Sequence, residues 1–182
     1  MEKKITLGSG KLYCVAFTDG NTIPDDTTLE TDANLLGLIK GGATLTYSPE
    51  FYTAEDDLGI VKKKMLTQEE AVLKSGIMTW NGNVLSKLCQ TAKVSEDSQK
   101  HIRTVKIGGV AQYADTNYVL HFVHEDAVEG DCRITIVGSN EAGFELAFAK
   151  DAETVINAEF KAVPMDDAGT LIVYTEEDAN IK

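Results

Sequence analysis

Apolar and polar positions alternate with period two along most of the chain, which predicts a protein made mainly of strands. In residues 12 to 17, Leu12, Cys14 and Ala16 share one face while Tyr13, Val15 and Phe17 share the other, so this strand is covered on both sides. Ala43, Leu45 and Tyr47 alternate with Thr44 and Thr46 ahead of Pro49, and a second alternating run, IVKKKML, follows Gly59. Two strands are therefore expected here, joined by a connection over about residues 48 to 59, longer than an ordinary hairpin loop. Residues 69 to 80 carry the β-branched Ile77 and Thr79 and end at Trp80, which favours a strand over a helix. Further strands are predicted at 102–113, 117–125, 131–137, 143–149, 153–163 and 170–175.

One segment has helical spacing instead. In NGNVLSKLCQTAK, Val84, Leu85, Leu88, Cys89 and Ala92 fall on one stripe, and Asn81 or Asn83 is placed to cap its start. Residues 18 to 40 hold Asp19, Asp25, Asp26, Glu30 and Asp32 with no basic residue before Lys40, and read as a long polar excursion ending in a short apolar piece at Leu35 to Ile39. The last residues, 176 to 182, read as a frayed tail. Turn signals every ten to fifteen residues favour an antiparallel β-sandwich or barrel with one flanking α-helix, in a single domain spanning residues 1–182.

Charge narrows the choice of partners. Seventeen basic against 29 acidic residues give a formal net charge of -12, a field that repels phosphate backbones and anionic lipid surfaces. Three scattered cysteines, Cys14, Cys89 and Cys132, without a CxxC pair, suit a reducing compartment and read as apolar fillers. No run approaches the roughly 18 apolar residues of a spanning helix, so no membrane association is expected.

Motifs that would carry chemistry fail on inspection. GSGK at 8 to 11 lacks the earlier glycine and the following Ser or Thr of a phosphate loop, with Ile5 and Leu12 in those places. The run from Asp19 to Glu30 resembles a calcium loop at three positions, but Ile23 and Pro24 stand where a ligand and a glycine are needed. His121 and His124, three apart on a strand, point to opposite faces and cannot share one metal ion. No cysteine has a nearby histidine and no serine sits in a GxSxG elbow. The residues therefore nominate no catalytic, cofactor-binding or metal site, and the expectation is a non-enzymatic protein without cofactors.

LGSGKLY near the start, LLGLIKGGATLTYSPEFYTAEDDLG after a polar excursion, EEAVLKSGIMTWNGNVLSKL running strand into helix, and an acidic β-rich second half follow in that order. This order resembles the major tail, or tail tube, proteins of long-tailed, siphovirus-type bacteriophages and prophages of Gram-positive bacteria. The resemblance implies a small β-sandwich or barrel of the tail tube type. It further implies that copies, six to a ring, continue their sheets around a pore, and that rings stack into the tube through which DNA passes as unbound cargo. The partners implied are copies of itself and other phage tail proteins, and the place implied is the virion tail, after synthesis in the bacterial host cytoplasm.

In such an assembly the connection at 48 to 59 reaches a neighbouring subunit. Tyr47, Phe51 and Tyr52 would then be apolar anchors, Glu55, Asp56 and Asp57 an acidic rim, and Lys62, Lys63 and Lys64 partners for carboxylates. Two other readings are a hexameric tube or baseplate subunit of a contractile injection system, and a carbohydrate-binding β-sandwich presenting Tyr52, Trp80, Tyr113 and Tyr118 to sugars.

Overall fold

The computed structural model describes residues 8–18 and 22–178. Strands account for 49% of the described residues and helices for 8%, which makes the fold mainly β. In chain order the elements are β1 (Lys11–Phe17), α1 (Asp26–Leu29), β2 (Leu35–Gly37), β3 (Ile39–Glu55), β4 (Lys62–Ile77), α2 (Gly82–Lys87), β5 (Lys93–Asp97), β6 (Ile102–Lys106), a 3-10 turn (Val110–Gln112), β7 (Asn117–His124), β8 (Cys132–Asn140), β9 (Ile156–Val163) and β10 (Val173–Glu176). Among the described residues no helix is long and apolar enough to cross a membrane.

The main sheet runs β2-β1-β7-β8-β9-β4-β3, antiparallel throughout, with β10 on the free half of β8. Its two ends are neighbours in the chain. Only Leu38 separates β2 from β3, and its carbonyl accepts the amides of Met78 (2.8 Å) and Thr79 (3.3 Å) while its own amide donates to Thr79 Oγ1 (2.7 Å). The sheet thus curls round to meet itself as a barrel. β9 makes the corner, because residues 156–161 pair with β4 and residues 160–163 with β8.

The barrel interior holds Leu12, Cys14, Leu36, Leu73, Ile77, Leu120, Ile136, Ile156 and Phe160, closed by Val84 and Leu88 of α2. Each fully buried side chain of this size contributes roughly 1.5–3 kcal/mol relative to exposure. Except at Ala16, which is exposed, the expected double coverage of β1 is observed. Its other face carries Val15 and Phe17 into a second cluster with Leu29, Val119 and Val137, brought there by the polar excursion folding back over the barrel.

Asn81 caps α2 as its position suggested, its side chain accepting from Asn83 N and Val84 N. The helix is shorter than its stripe. Asn140 Nδ2 ties up the Leu88 carbonyl at 2.9 Å, and the Gln90 amide clamps both backbone groups of Thr116, at 2.7 and 2.9 Å, so the chain leaves the helix and enters β5.

Several expectations are corrected. The segment 48–59 is not a loop: β3 continues through Glu55 in register with β4, and only Asp56 to Val61 turn. Residues 143–149 form no strand. Phe144 and Leu146 do pack against the core, but no strand pairs with this segment, so the alternation records burial without a ladder. The strand expected at 102–113 stops at Lys106. The excursion at 18–40 contains α1, β2 and the start of β3, while residues 19–21 lie outside the described residues. In the tail expected to fray, Glu176 belongs to β10 and the Glu177 amide donates to the Asp131 carbonyl at 2.9 Å; residues 179–182 lie outside the described residues.

Candidate self-assembly interface

β3 and β4 pair from Ile39↔Ile77 to Glu55↔Lys62, but β9 flanks β4 only over Val72–Ile77. Beyond that point the pair is a two-stranded ribbon projecting from the barrel. At about 3.3 Å per residue, the stretch from Tyr47 to Glu55 reaches about 25–30 Å. Every residue from 46 to 69 except Gly59 is exposed.

The base of the ribbon is anchored. Lys74 bonds Glu159 of β9 at 2.8 Å, Lys161 approaches Glu70 at 3.5 Å, and the Tyr47 hydroxyl donates to Glu69. That hydrogen bond raises the Tyr47 pKa above the ordinary phenol value. The tip is built by Asp56. Its carboxylate accepts the Val61 amide at 2.7 Å, its carbonyl accepts the Gly59 amide at 2.9 Å, and Gly59 takes φ 68, where a side chain is disfavoured. The bond from the Val61 amide holds the Asp56 carboxyl below the usual carboxylate range.

A register shift lies midway. Glu50 opposes Gln68 and Phe51 opposes Leu66, leaving Thr67 as the extra residue, with its hydroxyl on the Glu50 carbonyl at 3.2 Å. Cross-strand partners share a face, so Leu45, Leu73, Tyr47, Ala71, Pro49, Glu69, Phe51 and Leu66 form one continuous face. This face begins in the core and ends in solvent. Tyr52, Met65, Ala54 and Lys63 lie on the reverse, and Leu58, Ile60 and Val61 crown the tip.

The nine residues expected to form an interface all lie on this ribbon. Their arrangement differs from the expectation in one respect: Lys62 bonds Glu55 within the hairpin at 2.8 Å, and Lys64 Nζ sits 3.9 Å from the Phe51 ring centroid. Only Lys63, on the opposite face, has no such partner among the described residues.

Other candidates resolve into structural roles. His121 and His124 do face opposite sides. Buried His121 is hydrogen-bonded with Thr135 Oγ1 at 2.8 Å and faces Glu30 at 3.3 Å, whereas His124 Nδ1 donates to the Ser9 carbonyl at 2.7 Å. Asp26, Glu30 and His121 offer ligand atoms within 4.8 Å of one another. A cation already stands there, since Arg133 Nε lies 2.7 Å from Glu30 and 3.6 Å from Asp26, with Nη1 2.8 Å from Glu177. Burial pushes the Glu30 carboxyl up, but hydrogen bonds from Arg133 and His121 outweigh it and leave the pKa below the ordinary value. The hydrogen bond to Glu30 likewise raises Arg133. Residues 30 and 133 are too distant in sequence for any motif to have announced this network. Trp80, a candidate sugar platform, packs against the core and donates Nε1 to the Thr154 carbonyl at 3.3 Å.

The chain matches no family model and no curated protein.

Proposed function

We propose that the protein is a structural subunit that polymerises through its β3–β4 ribbon, and that the polymer is the tail tube of a long-tailed bacteriophage. The observation that carries this reading is the exposure of both faces and both edges of a long ribbon bearing Tyr47, Phe51, Tyr52, Leu58, Ile60, Val61, Met65 and Leu66. A two-stranded hairpin alone in water is marginally stable, and its free edges are templates for further strands. A neighbouring copy supplies both missing partners, extra strands along the edge and apolar surface against the faces. Contacts between unlike surfaces of identical subunits close into rings or extend into stacks. The tube assignment rests on the order of sequence segments, and the net charge of -12 suits a wall that DNA passes without adhering.

The test is sedimentation and electron microscopy of the full chain across a range of concentration and ionic strength. Rings or tubes with a central channel support the reading; a monomer under every condition overturns it.

A further inference from the structure

A second hairpin, β5–β6, forms a two-stranded sheet of its own, and its strand residues are exposed apart from Val105. Its charge is opposite to that of the molecule. Between residues 93 and 106 stand Lys93, Lys100, Arg103 and Lys106 against only Glu96 and Asp97, in a chain of net charge -12. One end of the hairpin neutralises itself, with Arg103 on Glu96 at 2.7 Å and Lys100 near Asp97 at 3.5 Å. At the other end Lys93 directly opposes Lys106, and neither forms an ion pair among the described residues. Like charges directly opposite each other destabilise a strand pair unless an anion lies between them. The adjoining chain adds apolar surface, with Ile107, Val110 and Tyr113 all exposed.

The ribbon carries complementary groups beside Lys62, Lys63 and Lys64, of which Lys63 alone has no ion-pair or ring partner among the described residues. Glu50 and Asp57 are exposed and make no ion pair among the described residues, and Leu58, Ile60 and Val61 lie beside Asp57. We propose, resting on the reading above, that the Lys93–Lys106 end of β5–β6 is the receptor for the acidic ribbon of a second copy. Ribbon and receptor are different surfaces, so every copy carries one of each and the contact is head-to-tail. Opposed charges steer the encounter and fix the register, while apolar tip and apolar receptor loop exclude water.

The experiment uses two variants of the full chain, Glu50→Lys/Asp57→Lys in the ribbon and Lys93→Glu/Lys106→Glu in the receptor, with circular dichroism as a check on folding. Each alone should associate more weakly by roughly tenfold or more, because attraction becomes like-charge repulsion. An equimolar mixture should polymerise by strict alternation, since the ribbon of each variant is complementary to the receptor of the other, and combining all four changes in one chain should likewise restore polymerisation. Should the reversed receptor misfold, Lys93→Gln/Lys106→Gln replaces it with a smaller loss in the same direction. Normal assembly of a folded receptor variant overturns the inference while leaving ribbon-driven assembly standing, as does loss of duplex-DNA retention with assembly intact, which would assign the pair to nucleic acid. A wild-type chain that never assembles overturns both.

Discussion

Leu73 and Leu66 lie on the same strand and, through the bulge at Thr67, on the same face, yet Leu73 is 0% exposed and Leu66 is 43% exposed. Seven residues separate the barrel core from open solvent. Nothing in the apolar character of the face changes over that distance; what changes is the cover, since β9 and the barrel interior stop and β3–β4 continues alone.

This contrast separates stability from assembly. Leu73→Ala should cost the monomer about 2–5 kcal/mol by leaving a cavity among well-packed neighbours. Leu66→Ala should stay within about 0.5 kcal/mol, as exposed substitutions do. Urea unfolding of both variants, at concentrations where the chain is monomeric, checks the pair.

Assembly should respond in the opposite order. Phe51→Ser with Leu66→Ser removes the largest apolar groups from the outer half of that face without touching the core. The double variant should lose rings and tubes in sedimentation while its thermal midpoint stays near that of the wild type.

The Glu30–Arg133 network predicts a pH dependence. The folded pKa of Glu30 is depressed, so its contribution is fully present above the unfolded value of about 4.3 and is lost as pH falls through the folded value. Glu30→Gln should therefore lower stability near neutrality and flatten its decline below about pH 4.3. Arg133→Met, which leaves Glu30 with His121 as its one remaining partner in the network, should cost about 1–3 kcal/mol. Chemical denaturation at a series of pH values reads both effects.

The cysteines make a third distinction. Burial pushes the Cys14 thiol up to about 12, so almost none of it is thiolate at neutral pH. Cys14 and buried Cys132 should resist iodoacetamide in the native protein, and half-buried Cys89 should react first. Mass spectrometry of the native and urea-unfolded chain gives the order.

Where burial follows from local alternation, the fold was legible in the sequence: Leu12 and Cys14 against Val15 and Phe17, or Val84 and Leu88 behind the Asn81 cap. It was not legible where partners decide. Phe144 and Leu146 alternate like a strand but pack on the core without joining a ladder. Pro49 and the run Glu55–Asp56–Asp57 look like loop residues, yet Pro49 lies within β3, an edge strand, where sheets tolerate proline. The nine residues singled out from their mixture of aromatics, carboxylates and lysines share one ribbon. Their ladder register, and the commitment of Lys62 and Lys64 within the hairpin, depend on a bulge that no local pattern encodes.

Hydrogen exchange of the free and assembled protein tests most directly the claim that the ribbon is completed by copies of the same chain. In the monomer, amides of residues 47 to 68 should exchange far faster than those of β7 and β8, because no third strand or core covers them. On assembly, protection should rise across this ribbon while the barrel is little changed. Assembled particles whose ribbon amides exchange as fast as in the monomer would contradict the account.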